Sequence, residues 1–158
     1  MTRRLAAGIV LLTLGGVPAF AQTSVSVAVR HATRAVGTHD VLPATAQGLV
    51  VGASTRVIGR LGAWGSFTTW PEPIGRTVAL GGRFDLSRDD WKLRPAVLLG
   101  TWRKPTRGAP WQLIFGGGVG FRIRGRWSGS VALGAITIRS TGLLYAVPQA
   151  GVAYTLLP

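Results

Sequence analysis

The chain has 158 residues, 18 of them Lys or Arg against five Asp or Glu, and no cysteine. That length suits one domain, the missing thiols exclude disulfide staples and thiolate metal sites, and a formal charge of +13 points to polyanionic partners. Hydrophobic residues reach 47% while charged ones stop at 15%, a richer apolar balance than a small soluble domain usually carries.

At the start of the chain Arg3 and Arg4 form a basic head, Leu5 to Val17 is apolar, and Ala19-Phe20-Ala21 is a small-x-small cleavage site. This is the pattern of an export signal over residues 1–21, with residues 22–158 as the mature domain. The apolar stretch is short and rich in Gly, and no second apolar run follows it, so it does not read as a spanning helix. An exported protein rarely meets nucleic acid. No nucleic-acid partner is therefore expected, and outer lipid or glycolipid phosphates are the leading polyanions.

From Ser24 onward the apolar residues recur every second position, which is the period of a strand. Val25, Val27 and Val29 alternate with Ser24, Ser26, Ala28 and Arg30, and a long connection spans Thr33 to Gln47. Leu49, Val51, Ala53, Thr55 and Val57 then alternate with Val50, Gly52, Ser54 and Arg56. A tight break at Gly59-Arg60 leads to Leu61, Ala63, Gly65 and Phe67, opposed by Gly62, Trp64, Ser66 and Thr68. After a turn over Pro71–Gly75, Val78, Leu80, Gly82, Phe84 and Leu86 oppose Thr77, Ala79, Gly81, Arg83 and Asp85.

The polar cluster Ser87–Asp90 turns the chain again. In the fifth strand Trp91, Leu93, Val97 and Leu99 oppose Lys92, Arg94, Ala96 and Gly100, with Pro95 suited to a strand end or bulge. A loop over Lys104–Pro110 precedes Leu113, Phe115, Val119, Phe121 and Ile123, which oppose Gln112, Gly116, Gly118, Gly120, Arg122 and Arg124. Past a tight break near Gly125, Trp127, Val131 and Leu133 oppose Ser128, Ser130, Ala132 and Gly134. A last strand runs from about Leu143 to Leu157.

Eight strands of this length, joined by alternately long and tight connections, predict an all-β fold: a single antiparallel up-and-down barrel that crosses a bilayer. The apolar row would face lipid. The lumen would then take the small and polar row, which carries the charges Arg30, Arg56, Arg83, Asp85, Lys92, Arg94, Arg122 and Arg124. The phase fits the energetics, because Arg or Lys facing lipid at the midplane costs roughly 2–4 kcal/mol. Phe67, Phe84, Trp91, Trp111, Phe121, Trp127 and Tyr154 stand near the strand ends on the outward side, where amphipathic rings settle at head-group height.

The segment Gln149-Ala150-Gly151-Val152-Ala153-Tyr154-Thr155-Leu156 is similar to the assembly signal of the small bacterial outer-membrane β-barrel family. The matching positions are Gln149, Gly151, Tyr154 and Leu156. The chain departs from that pattern by ending in Leu157-Pro158 instead of an aromatic residue. The resemblance implies a bacterial outer-membrane location and recognition by the barrel-assembly machinery. It also implies that the longer loops lie outside the cell and the tight turns on the periplasmic side.

Chemistry is sparse. His31 and His39 lie near the first long loop, and His39-Asp40 is the only neighbouring His–carboxylate pair; without a serine motif it does not form a nucleophilic site. Two histidines eight residues apart are also too few for a metal site, and no metal or other cofactor is expected. The run Gly116-Gly117-Gly118-Val119-Gly120 lacks the helix and the Lys-Ser/Thr of a phosphate loop. Inside a strand it instead permits curvature and leaves lumen space for Arg or Trp64 from facing strands. The expected role is structural, surface-interacting or binding, with no evident catalysis. Alternatives are a small anion-preferring pore, a lipid-modifying enzyme using His39, or a soluble periplasmic or secreted barrel for an apolar ligand. Thr2-Arg3-Arg4 partly resembles a twin-arginine export signal, which would suit the soluble alternative.

Overall fold

The computed structural model describes residues 22–37, 42–87 and 92–157. The export signal over 1–21, the pair His39-Asp40 and Trp91 lie outside the described residues. Eight strands follow in chain order: β1 Thr23–Val36, β2 Thr45–Ile58, β3 Leu61–Thr69, β4 Arg76–Asp85, β5 Leu93–Arg103, β6 Gln112–Arg124, β7 Trp127–Ile138 and β8 Leu143–Leu157. Each pairs antiparallel with the next, and β8 returns to β1 to close the barrel. Closure gives every strand two neighbours, so no unpaired edge remains to recruit another chain.

The tight turns are made by a repeated local sequence. Arg56-Val57-Ile58-Gly59-Arg60-Leu61 and Arg122-Ile123-Arg124-Gly125-Arg126-Trp127 each place a Gly at positive φ, +54° and +57°, at the first position of a two-residue turn. Gly is the residue that takes this conformation without strain, and it suits a hairpin whose twist matches the strands. In both hairpins the register slips by one residue just before the turn, at Val57 and Ile123. After Gly37 the other connection differs from the sequence expectation. Thr33 pairs with Thr45 and Ala32 with Ala46, so β1 and β2 extend further and the loop is only 37–44. Small and polar residues carry no alternation signal, yet their backbone groups continue the ladder.

Pro95 sits inside β5 without a register slip. Its carbonyl accepts from the Leu86 amide at 2.8 Å, so its nitrogen faces the same neighbour just past the end of β4. The ladder within β4 loses no donor there, which is why the strand tolerates it.

The burial pattern is inverted relative to a soluble barrel. Among the described residues 25 large apolar side chains are exposed, whereas only 12 apolar residues are buried, five of them alanine. Val25, Val27 and Val29 are exposed while Ala28 and Arg30 are buried, and the same alternation holds through Leu80, Phe84, Val97, Leu99, Val131 and Leu133. A continuous apolar belt of this size is incompatible with water and fits a hydrocarbon surround.

The lumen is divided. At the tight-turn end it is polar, but the half nearer the long loops is filled by an apolar cluster of Ile114, Ile136, Leu143, Tyr145, Val147 and Trp70. The uniform small-and-polar lumen inferred from alternation is corrected here. Trp70 continues the inward row of Trp64, Ser66 and Thr68 past the end of β3 and folds over Gly48, where a Cβ would stand 2.8 Å from its ring. Its indole N–H donates to Thr77 Oγ1 at 3.0 Å, which satisfies the one polar atom the ring buries.

Candidate functional site

Two basic regions emerge, one at each end of the barrel. The first lies inside the lumen at the tight-turn end, where a cavity of about 330 Å³ is lined by Arg56, Arg83, Arg94, Arg122, Arg126 and Asp85 among others. Arg83 donates from Nε to Asp85 Oδ1 at 2.7 Å, with Nη2 2.6 Å from the same oxygen. The two are separated by two positions in β4 and therefore project to the same face. Arg122 Nε donates to the Gly125 carbonyl at 3.3 Å, and Arg126 Nη1 to the Leu156 carbonyl at 3.4 Å.

A second, inner cavity of about 190 Å³ continues from the first and shares Arg83 and Arg94 with it. Arg30 lines its wall and is buried. Arg30 donates to Gln149 Oε1 from Nε at 2.9 Å and from Nη2 at 2.6 Å, and to Thr68 Oγ1 at 3.3 Å. Trp64 reaches into the same space across Gly81 and Gly100, its register neighbours on β4 and β5. A Cβ on Gly100 would lie 2.8 Å from Trp64 Cζ2, and the indole N–H donates to the Gly82 carbonyl at 2.9 Å. Glycine here makes room for a large ring in a narrow lumen.

Two residues read as lumen charges lie elsewhere. Lys92 precedes β5 and is exposed. Arg124 pairs with Trp127 after the slip at Ile123, and Trp127 is on the outward row, so the bulge has carried Arg124 to the outer face. The alternation argument fails at that point because a bulge shifts the two-residue period by one.

The second basic region is the long-loop rim. Arg103 follows the outward row of β5, with its guanidinium 4.8 Å from the centre of the Trp111 ring, a cation–π geometry. Because Val78 pairs with Arg103, Arg76 is its diagonal neighbour on the same face. Lys104 ties two loops by donating to the Pro73 carbonyl at 3.2 Å. Arg34 lies on the inner side, donates to the Leu42 carbonyl and sits 6.0 Å from the Tyr145 ring centre. The Tyr145 hydroxyl donates to the Pro43 carbonyl at 2.9 Å, which anchors the first loop to the apolar cluster.

The outward aromatics divide between the ends. Phe84, Phe121, Trp127 and Tyr154 lie toward the tight turns, and Phe67 and Trp111 toward the long loops. Trp127 and Tyr154 are register partners in an edge-to-face pair, 5.1 Å between centres and 62° apart. Of the segment that resembles an assembly signal, Gln149 and Gly151 share the inward phase, whereas Tyr154 and Leu156 share the outward one. Gly151 abuts Ala28, where a Cβ would meet Ala28 Cβ at 2.5 Å, and Leu156 is exposed. Trp70, Trp102 and the apolar half of the lumen escaped the sequence reading, although extending the inward row of β3 by two positions reaches Trp70.

No family model matches the sequence, and no curated protein does. Solved structures match by fold. The N-terminal β-barrel domain of Pseudomonas aeruginosa OprF aligns with a TM-score of 0.59 at 12% identity, covering 85% of this chain and 99% of that one. Neisserial surface protein A aligns at 0.53 and 12% identity over 86% and 97%. Yersinia pestis Ail, the attachment invasion locus protein, in complex with the heparin analogue sucrose octasulfate, aligns at 0.51 and 14% identity, again over 86% and 97%. The closed eight-stranded meander, its inverted burial and these likenesses give the chain the fold of the small bacterial outer-membrane β-barrels.

Proposed function

We propose that the protein is an outer-membrane barrel with a structural and surface-interacting role, whose long-loop rim engages the phosphates of anionic glycolipid. The observation that carries this reading is the placement of Arg103 against Trp111, with Arg76 diagonal to it, on the outer face at the rim. An indole at the membrane interface holds the guanidinium fork at the height of lipid phosphates, where charge-assisted hydrogen bonds are strong. The Ail likeness adds support, since that barrel was solved with a sulfated polyanion bound. Recognition of β8 by the barrel-assembly machinery, through Gln149, Gly151, Tyr154 and Leu156, belongs to the same reading.

The arrangement does not favour a pore. The apolar cluster around Trp70 and Leu143 occupies the lumen at the long-loop end, which opposes a water path through it.

Cell fractionation followed by gel migration of heated and unheated samples tests the location. The expected result is an outer-membrane protein that migrates faster unheated, and recovery from the soluble fraction without detergent would overturn the proposal. For the rim, the paired change R76Q/R103Q should weaken binding to lipopolysaccharide micelles by about tenfold or more, the scale of two lost charge-assisted contacts.

A further inference from the structure

The surface role leaves the opposite end of the lumen without a task. Among the described residues the cavity there presents five arginines and one carboxylate, Asp85, which Arg83 already engages. The Arg94 side chain makes no hydrogen bond or ion pair with any described residue, and it stands where the outer and inner cavities meet. Deeper still, among the described residues the Arg30 guanidinium is held only by the neutral oxygens of Gln149 and Thr68. Cations gathered in a narrow, partly desolvated space repel one another more strongly than they would in water. An entering anion relieves that repulsion and gains several donors at once.

The geometry restricts which anion. The cluster of Trp70, Ile114, Ile136 and Leu143 closes the far end, so the lumen is a cup and not a channel. Its mouth lies between the two matching turns, which bring Arg56 and Arg122 to opposite sides of the same opening. Ser24 and Ser54, whose hydroxyls are 2.9 Å apart, add donors on the wall. About 330 Å³ admits a small solute and no folded partner. Several guanidinium forks plus hydroxyls suit the oxygens of a tetrahedral oxyanion better than a single planar carboxylate.

We propose that this cup is a binding site for a small phosphorylated or sulfated anion, with Arg94 and Arg83 as its principal contacts and Arg56 and Arg122 at the mouth. The ligand chemistry is shared by a free polyphosphate-like solute and by the phosphate of an anionic lipid head group. The site is independent of the rim and stands or falls separately from it.

The test is calorimetric titration of inorganic tripolyphosphate into the folded barrel in dodecyl maltoside, with folding verified by heat-dependent migration. Saturable one-site binding is expected. R94Q should weaken it by about tenfold or more, whereas D85N should strengthen it several-fold by removing the cup's only carboxylate among the described residues. A gain of affinity in D85N cannot come from misfolding. K92Q, an equal loss of charge outside the cup, should leave binding unchanged. Repeating the titration in nanodiscs separates the sources. Loss of binding in phosphatidylglycerol but not phosphatidylcholine discs identifies a lipid head group as the occupant, and equal binding in both identifies a free solute. Absence of saturable binding, full binding by R94Q, or a loss confined to R76Q/R103Q would overturn the proposal.

Discussion

Gln149 on β8 accepts two hydrogen bonds from the Arg30 guanidinium on β1, at 2.9 and 2.6 Å, across the seam that closes the barrel. The pair links residues 119 positions apart and gives a buried cation its main acceptor. It also gives Gln149 a role in the folded barrel besides any in assembly.

Replacing Gln149 by Leu should therefore destabilise the barrel by about 2–3 kcal/mol, since a buried charged donor loses its partner. Gln149→Glu keeps the acceptor, adds a counter-charge and should hold stability at or above that of the parent. Urea unfolding in detergent micelles measures both. Equal stability of the Leu and Glu variants would show that Arg30 finds other acceptors.

The outer face offers a sharper test of the membrane surround. Leu133 is 61% exposed near the middle of β7. Leu133→Arg should cost roughly 2–4 kcal/mol in a bilayer, where the charge faces hydrocarbon. On a water-exposed surface the same change would stay within about 0.5 kcal/mol. Refolding equilibria in lipid vesicles distinguish the two values.

Gly100 should be intolerant of any side chain. A Cβ there would stand 2.3 Å from the Leu80 carbonyl oxygen as well as close to Trp64, so Gly100→Ala forces the backbone or the indole to move. A loss of about 1–3 kcal/mol is expected. Trp64→Ala in the same background should recover part of it, and a double-mutant cycle reads the coupling.

Trp127 and Tyr154 provide a way to separate packing from recognition. Their edge-to-face contact should couple them by about 0.5–1.5 kcal/mol in refolding from urea. If Tyr154 is also read during assembly, Tyr154→Ala should lower the outer-membrane level in cells more than Trp127→Ala does, at equal loss of stability in vitro. Equal levels would reduce Tyr154 to a packing residue.

Much of this architecture is carried by local pattern. The alternation of Val25, Val27 and Val29 with Ser24, Ser26 and Ala28 specifies both a strand and its facing, because successive side chains must point to opposite sides. The same logic, repeated eight times with Gly59 and Gly125 at the tight turns, determines the strand count and the outward apolar belt. Local pattern also put Arg83 beside Asp85, since residues two apart share a face.

What depends on closure was not legible. Trp70 meets Gly48, Arg30 meets Gln149, and Leu143, Tyr145 and Val147 meet Ile114 and Ile136 only because register and curvature bring distant strands to one lumen. A single-residue slip at Ile123 was equally invisible, yet it moved Arg124 to the outer face. The sequence by itself determined which residues alternate and how many strands they form. The tertiary structure decided which inward side chains share a level, and so divided the lumen into an apolar plug and a basic cup: alternation is a property of neighbours in the chain, whereas lumen contacts are set by how the strands are staggered around the barrel.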